Sequence, residues 1–175
     1  GRTVTVTSDS TPAGFTLAQL EVETDPPETA IYHGLNQAGG VKPTITVSVS
    51  GAALIIRLVL CEYEGSSNTA LDVVASAGGS STTPSSGATA TRAENTELQI
   101  GVAATAEAPE FTAGTGFTKR STDPNSKVSI EDIVRTAPGT EAADFTISVT
   151  GPWACVTATY SDVAAGGAQM FLMTP

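Results

Sequence analysis

Four stretches in the second half of the chain decide the fold. They read LIIRLVLCEYEG at residues 54–65, SSTTPSSGATAT at 80–91, EFTAGTGFTKR at 110–120 and WACVTATY at 153–160. The first and the last are rich in β-branched, aliphatic and aromatic residues, which favour strands. The two between them are rich in Gly, Pro, Ser and Thr, which favour turns. This succession of strand, corner, turn and closing strand predicts an all-β protein.

Composition and charge exclude several functions. The chain has 175 residues, which suits one domain, and no internal repeat divides it. Its formal net charge is −10, and its eight Lys and Arg residues are scattered, whereas nucleic-acid binding requires clustered basic residues. The chain contains no apolar run of the length of about 18 residues that spans a bilayer. We therefore expect that the chain does not bind nucleic acid and does not insert into a membrane.

Strand-like alternation of apolar and polar residues runs along most of the chain. The clearest examples are Phe15–Glu23, Pro43–Ser50, Leu54–Tyr63, Glu97–Thr105 and Lys127–Arg135. The Ala-Gln step in the first of these predicts a β-bulge. Leu54–Tyr63 is apolar on both faces, which predicts a central strand. Lys127–Arg135 also fits one helical turn, but its alternation favours a strand.

Two further patterns complete the predicted architecture. Gly78–Gly87 has too few apolar residues to form a core of its own, so it is expected to be a surface corner. Asp144–Thr150 and Trp153–Tyr160 are expected to form a final hairpin around Gly151-Pro152. The pattern as a whole predicts an antiparallel β-sandwich, jelly-roll-like, of about ten strands. Residues 1–161 would form this single domain.

The last residues, 162–175, form a C-terminal tail in this interpretation. The tail contains an apolar, strand-prone segment, which consists of Met170, Phe171, Leu172 and Met173. Such a segment is an aggregation hazard if it is left in solvent. It can dock on its own domain, or it can add a strand to a neighbouring subunit. Both alternatives stay open at this point.

The two cysteines are too far apart in sequence for a CxxC metal or redox motif. Cys61 and Cys155 each lie in a strongly apolar strand. The first interpretation is two buried thiols that act as small apolar side chains. The second is a disulfide between neighbouring strands, which would imply an oxidising compartment.

Catalytic chemistry has little support in the sequence. The only histidine, His33, has no nucleophile motif nearby and is expected to be an ordinary surface or edge-strand residue. The carboxylate pairs Glu62/Glu64 and Glu131/Asp132 are the remaining candidates for a glycosidase-type site, but aromatic residues that grip sugars are scarce. We therefore expect no enzyme activity and no catalytic residues.

Two further kinds of site are considered for ligands. Structural calcium would need several converging oxygen ligands, and two acidic groups offer them, although neither has the EF-hand spacing. These groups are Glu21, Glu23, Asp25 and Glu28, and then Asp123, Asn125 and Asp132. Solvated acidic loops are the simpler interpretation, so no cofactor is expected. Trp153 and Tyr63 are candidate glycan contacts, although for Trp153 a position in the core at the end of the sandwich is the favoured interpretation.

The chain resembles a jelly-roll-like surface module that is found in secreted bacterial proteins and in phage virion proteins of the tail or of capsid decoration. The resemblance covers roughly residues 30–160, and more loosely 6–18. The segments that carry it are AIYHGLNQAGG, TITVSVSG, LVLCEYEG, LDVVASAGGSSTTPSSGATAT, FTAGTGFTKR, IEDIV and WACVTATY. It implies a non-catalytic protein used in adhesion, glycan contact or virion decoration. Such modules usually begin with one or two further apolar strands, so by this resemblance we expect those strands to be missing here and the tail to be additional.

The function expected from residues and resemblance together is structural or adhesive. A place on a phage virion exterior is favoured, in an assembly with other protein subunits. The alternative is a carbohydrate-binding module or a cell-surface adhesin domain of a secreted bacterial protein. Either function places the chain on the virion exterior or at the extracellular surface of a cell.

Overall fold

The fold is described by a computed structural model that covers residues 4–9, 15–22, 27–37, 44–51, 56–64, 71–92, 95–123, 125–161 and 168–174. These residues form thirteen strands and no helix. The first seven strands are β1 Val4–Ser8, β2 Thr16–Val22, β3 Glu28–Gln37, β4 Ile45–Val49, β5 Val59–Glu64, β6 Leu71–Ser81 and β7 Glu97–Thr105. The remaining six are β8 Phe111–Thr112, β9 Thr118–Thr122, β10 Val128–Arg135, β11 Thr146–Ile147, β12 Gly151–Ser161 and β13 Ala168–Thr174. The all-β prediction is confirmed. The described residues contain no helix long and apolar enough to cross a membrane.

Two larger sheets carry the architecture. One has five strands in the order β6-β12-β7-β10-β9, and the other has four in the order β2-β3-β13-β5. The pairs β1-β4 and β8-β11 form two small two-stranded sheets. Every strand pairing among the described residues is antiparallel.

The main core lies between the two larger sheets. Ile31 and Val59 from the four-stranded sheet pack with Ile100, Val156 and Tyr160 from the five-stranded sheet. Full burial of one such apolar side chain contributes about 1.5–3 kcal/mol to stability. The burial of these side chains therefore stabilises the packing of the two sheets against each other.

A second core covers the opposite face of the five-stranded sheet. It contains Trp153 and Cys155 from β12, with Phe111, Phe145 and Ile147 from the small β8-β11 sheet and the segment before it. The rings of Phe111 and Phe145 meet edge to face, with centroids 6.1 Å apart. Successive residues of a strand point to opposite faces, so β12 supplies side chains to both cores.

Several sequence predictions are confirmed at the level of single strands. Glu97–Thr105 is β7 with the predicted bounds, and Lys127–Arg135 is a strand from Val128 onward. The expected bulge in β2 is a register shift between Leu17 and Gln19 in its pairing with β3.

The prediction of a central strand at Leu54–Tyr63 is wrong. β5 is the last strand of the four-stranded sheet, so it is an edge strand. Leu58 and Leu60 are 44% and 48% exposed. The apolar character of both faces suggested a buried strand, but only one face is covered by the five-stranded sheet.

The predicted final hairpin is also wrong. Residues 144–150 do not pair with β12; the short β11 within them pairs with β8, and β12 begins at Gly151, the position expected for the turn. The predicted corner at Gly78–Gly87 starts later than expected, since β6 continues to Ser81 and pairs with β12 up to that residue.

Close packing on the face of the five-stranded sheet that carries the second core requires a glycine at position 101 of β7. A Cβ atom at this position would collide with the Cβ of Ala143 and lie 3.2 Å from Cγ of Glu131. Residues 137–147 therefore approach the sheet as closely as they do only because position 101 has no side chain.

We predict that Gly101→Ala lowers the free energy of unfolding by about 1–3 kcal/mol, because the added methyl group overpacks this contact. Urea denaturation followed by tryptophan fluorescence measures the change. The double variant Gly101→Ala/Ala143→Gly is the matched control and should regain most of the loss. A double variant as unstable as the single one contradicts the proposed contact.

Candidate functional site

A cleft of about 580 Å³ opens where three loop segments meet on the second-core side of the five-stranded sheet. Its walls are the corner that follows β6, the Gly-rich turn between β8 and β9, and residues 141–146. Hydroxyl side chains line it, namely Thr83, Ser85, Thr115 and Thr146. The cleft also contains Phe117, Arg135, Glu141 and Asp144. Donors, acceptors and one aromatic ring are therefore present in one open site.

The corner wall is fixed by backbone hydrogen bonds to the neighbouring segment. The N–H of Phe145 donates to the carbonyl of Pro84 at 2.8 Å, and that of Ser86 donates to the carbonyl of Ala143 at 2.9 Å. The N–H of Thr89 donates to the carbonyl of Glu141 at 2.9 Å. The Ser/Thr-rich corner is thus held as rigidly as a strand, although it is mostly irregular in conformation. The composition of this corner predicts a surface position, yet Ser86 and Thr89 are buried.

The turn wall depends on Gly114. A Cβ atom here would collide with the carbonyl oxygen of Asp144. The N–H of Gly114 donates to Oε2 of Glu131 at 2.8 Å, and the N–H of Phe117 donates back to the carbonyl of Gly114 at 3.1 Å. These contacts close the turn and place the Phe117 ring at the edge of the cleft.

Charged groups form one end of the cleft. Arg135 pairs with Glu141 at 3.1 Å, and its guanidinium lies 5.1 Å from the centre of the Phe117 ring. Nε of Arg135 also donates to Oε1 of Gln99 at 2.9 Å. Glu141 lies 3.4 Å from Nη2 of the buried Arg92 as well, so it stands between two arginines. This network holds Arg135 in a single orientation against the aromatic ring.

Glu131 lies beneath the turn and is fully buried. Its Oε2 accepts the Gly114 hydrogen bond, while Oε1 has no hydrogen-bond partner among the described residues. The pKa of Glu131 is raised to about 8, mainly by burial and to a smaller extent by the charge of Asp144, while the hydrogen bond from the N–H of Gly114 lowers it. Arg135 and the N–H of Asp144 also lower this pKa. The carboxyl group is therefore mainly protonated at pH 7.

A second polar cluster connects the two larger sheets. Asp132 accepts two hydrogen bonds from Arg120, at 2.6 and 2.9 Å, and one from the hydroxyl of Tyr63 at 2.6 Å. Burial, followed by the hydrogen bond and the charge of Asp132, raises the pKa of Tyr63. The carboxyl group of Asp132 is thus hydrogen-bonded inside the protein. The hydroxyl of Tyr63 donates to Asp132 rather than to a ligand.

The carboxyl groups of Glu131 and Asp132, one of the two candidate pairs, point to opposite faces of β10. Neighbours along a strand point to opposite faces, so Glu131 faces the cleft side and Asp132 faces β5. Glu62 is exposed on β5, and the side chain of Glu64 lies outside the described residues.

The candidate glycan contacts Trp153 and Tyr63 do not come together. Trp153 is 8% exposed within the second core, and its Nε1 donates to the hydroxyl of Ser81 at 2.9 Å. This burial leaves little of the indole for a sugar and agrees with the core interpretation. Tyr63 packs against the main core.

His33 and the cysteines are inward-facing. His33 is buried, not at the surface as expected; its ring lies 5.6 Å from that of Tyr160, and burial lowers its pKa. Cys61 and Cys155 are free thiols that pack in different cores, as in the first interpretation and not the alternative of a disulfide. Burial raises the pKa of both thiols, which makes them poor nucleophiles.

Two carboxylates of the second group considered for calcium, Asp123 and Asp132, are engaged in hydrogen bonds and ion pairs within the protein. Asp123 accepts hydrogen bonds from the N–H groups of Asn125, Lys127 and Val128 and pairs with Arg57 at 3.0 Å. Burial raises the pKa of Asp123, but these donors and Arg57 outweigh it, so that the pKa is below its ordinary value. In the first group, Glu23 and Asp25 lie outside the described residues. The described residues contain no group of three His, Cys, Asp or Glu side chains that could hold a metal ion.

Sequence reasoning missed the cleft. Its residues come from three segments that meet only after folding, and none of them carries a recognisable motif. The one signal in the sequence is the Gly-rich turn beside Phe117, whose composition predicts a turn but not a binding site.

Comparison of the chain with protein-family models, with curated proteins and with solved structures finds no match.

The predicted tail contributes a strand. Residues 168–174 form β13, whose backbone pairs with β3 on one edge and with β5 on the other. The side chains of Met170, Phe171, Leu172 and Met173 lie outside the described residues. Their docking on a neighbouring subunit therefore stays a prediction, and the pairing register provides a test of it.

We predict that Phe171→Cys forms an intrachain disulfide with Cys61, because the two positions are direct partners across β13 and β5. Directly opposed residues of antiparallel strands have the Cα separation that a disulfide needs. Non-reducing gel electrophoresis after mild oxidation should show a monomer, and mass spectrometry should show the loss of two hydrogens. The control, Phe171→Cys in a Cys61→Ser background, should not form this bond. Disulfide-linked dimers that require Cys61 would instead place the strand on a neighbouring copy.

We also predict that the contribution of Glu131 to stability falls as pH rises from 4.5 toward 8, because Glu131 keeps its proton in this range in the folded chain and loses it in the unfolded chain. Glu131→Gln should remove this dependence and stabilise the protein at pH 8 by on the order of a few kcal/mol. Urea denaturation at several pH values measures both effects. Glu110→Gln, at an exposed position, is the control. An unchanged pH profile in Glu131→Gln contradicts the assignment.

Proposed function

We propose that this chain is a non-catalytic surface protein that acts by adhesion, with the cleft as its ligand site. The observation that carries the proposal is the lining of the cleft, which combines four hydroxyl side chains with a half-buried Phe117. Sites for small polar ligands combine an apolar surface with a few placed polar groups. A glycan fits this chemistry, since its hydroxyl groups both donate and accept hydrogen bonds and its C–H faces pack on aromatic rings.

The charges in the cleft favour a neutral or cationic sugar over an acidic one. Arg135 is already paired with Glu141, while Asp144, three residues further along the same wall, is exposed. A carboxylate or phosphate ligand would meet uncompensated negative charge there. Asp144 is well suited to accept hydrogen bonds from sugar hydroxyls.

A non-catalytic role is supported by the groups at the cleft. Its lining contains neither His nor Cys. Glu141 is held between two arginines, and Glu131 lies buried behind the turn. No two of these carboxyl groups stand free on opposite sides of the cleft, which is the arrangement that glycoside hydrolysis requires.

The wider setting follows from the resemblance noted in the sequence. We propose a jelly-roll-like sandwich, exposed on a phage virion and assembled with other protein subunits. Two larger sheets with a shared core support the sandwich. The alternative is a carbohydrate-binding module or an adhesin domain at a bacterial cell surface, which the cleft would serve equally well. Neighbouring reading frames separate the two settings: capsid or tail genes support the virion, and a secreted hydrolase supports the alternative.

We predict saturable binding of neutral glycans on an array, with affinity lowered about tenfold or more by Phe117→Ala and by Asp144→Asn. The first variant removes the apolar surface, and the second removes the acceptor charge without changing the shape. Isothermal titration with the best array ligand measures the change.

The matched controls for this prediction are Phe15→Ala, which removes a half-buried ring far from the cleft, and Glu110→Gln, which neutralises an exposed acid outside it. Both should bind like the parent protein. Absence of any glycan ligand, or equal loss in variants and controls, contradicts the cleft as the adhesive site.

A further inference from the structure

The two edges of the five-stranded sheet differ in how they are protected against pairing with another chain. β9, at one edge, contains Lys119 and Arg120, and a β-bulge interrupts its pairing with β10. Basic side chains and bulges are devices that keep edge strands from pairing with other chains. β6, at the other edge, lacks both from Val74 to Ser81, where it contains no charged residue and no proline and keeps an unbroken register with β12.

The lack of charge extends beyond β6 itself. Residues 73–91 contain no Asp, Glu, Lys or Arg, whereas the formal net charge of the chain is −10. Two copies of the chain therefore repel each other over most of their surfaces but not along this edge. In the described part of the chain, no strand pairs with the outer edge of β6. A second copy would bring an edge that is equally uncharged and equally unprotected.

The backbone groups that β6 leaves unpaired follow from its pairing with β12. The carbonyl of Pro152 on β12 points toward β7, where it accepts hydrogen bonds from the N–H of Ala106 at 3.4 Å and from the hydroxyl of Thr105 at 2.9 Å. Successive residues of an antiparallel strand direct their N–H and C=O groups to alternate sides. Trp153 and every second residue after it therefore face β6, where their partners are residues 79, 77 and 75. The N–H and C=O groups that point outward are consequently those of Val74, Ser76, Gly78 and Ser80.

We propose that the outer edge of β6 is an interface between two copies of the chain, which pair antiparallel about a two-fold axis at Ala77. In this register, residue 76 of one copy lies opposite residue 78 of the other, and residue 74 lies opposite residue 80. The residues with outward N–H and C=O groups thus meet one another, and the paired segment, 73–81, belongs to β6 in both copies. A two-fold interface requires a surface that matches itself in this way.

The side chains of β6 allow two strands to approach closely, since residues 75–81 are all Ala, Ser or Gly. Gly79 is explained by internal packing, because a Cβ atom there would lie 2.9 Å from the ring of Trp153. Gly78 faces the opposite side of the sheet, and glycine within a strand often marks the close approach of another backbone. Asp72 lies outside the paired segment, so the two Asp72 carboxylates are at opposite ends of the interface.

β2 adds a second layer at this edge. It is the outer strand of the four-stranded sheet and packs over β6, where Nε2 of Gln19 donates to Oγ of Ser76 at 2.8 Å. Leu17 and Leu20 on β2 are 42% and 38% exposed. Grouped exposed apolar side chains mark sites of protein–protein contact. A two-fold axis perpendicular to the sheet places both β2 strands on the same face of the combined sheet, next to the interface.

This interface specifies a partner for the assembly proposed above, and it does not depend on the cleft or on a glycan ligand. A glycan array without any ligand contradicts the cleft as the adhesive site and leaves the dimer in place. A strictly monomeric protein contradicts the dimer and leaves the cleft in place. The two proposals therefore fail separately.

Sedimentation velocity over a concentration series up to about 0.1 mM tests the interface, since a weak specific dimer is populated at that level. The parent protein should show a monomer–dimer equilibrium. Ser80→Asp should raise its Kd by at least about tenfold, because each dimer gains two carboxylates within the paired segment. The matched control is Thr91→Asp, which adds the same charge at an exposed position of the same uncharged stretch, beyond the end of β6. It should dimerise like the parent protein.

Amide hydrogen exchange, measured by NMR at low and high concentration of the parent protein, locates the contact without any variant. As the dimer forms, exchange should slow at residues 74, 76, 78 and 80, whose N–H groups gain a hydrogen-bond partner, and stay unchanged along β9. A parent protein that stays monomeric at every concentration overturns the proposal. A dimer whose β6 amides exchange as in the monomer overturns it as well, and so does an equal Kd for Ser80→Asp and Thr91→Asp.

Discussion

The pairing of β12 along both of its edges is the constraint on which the rest of the structure depends. This strand pairs with β6 from Gly151 to Tyr160 on one side and with β7 from Trp153 to Ser161 on the other. Its alternation sends Val156 and Tyr160 into the main core and Trp153 into the second. Both layers around the five-stranded sheet therefore take their positions from one strand.

The face of the five-stranded sheet that carries the cleft is unusual in its polarity. Gln99 and Thr157 are fully buried there, and the amide of Gln99 donates to the hydroxyl of Thr157 at 3.1 Å. Arg135 donates in turn to Gln99 at 2.9 Å. Buried polar groups are tolerated when they are hydrogen-bonded to one another. The cleft thus rests on an internal network of hydrogen bonds rather than on an apolar layer.

This polarity explains which parts of the fold could be predicted from the sequence. Alternation in Glu97–Thr105 located β7 correctly, because one of its faces is apolar. The same alternation suggests that Gln99 faces solvent, whereas the irregular segments 82–92 and 137–147 cover it. Such segments pair through backbone groups, as between Thr89 and Glu141, and backbone pairing leaves no pattern in side-chain sequence. The cleft between these segments was unpredictable for the same reason. The edge position of β5 was missed because strand order depends on long-range pairing, which local periodicity does not encode.

The position of β13 has a consequence for how the protein is made. The five-stranded sheet is drawn from residues 71–161, a continuous part of the chain, so it can assemble as soon as that part has been synthesised. The four-stranded sheet cannot, since β3 and β5 do not pair with each other and are joined only through residues 168–174. On the ribosome, one edge of β3 and one edge of β5 therefore lack their partner strand while the residues of the other sheet are translated. Chaperone contact during synthesis would be concentrated at those two edges.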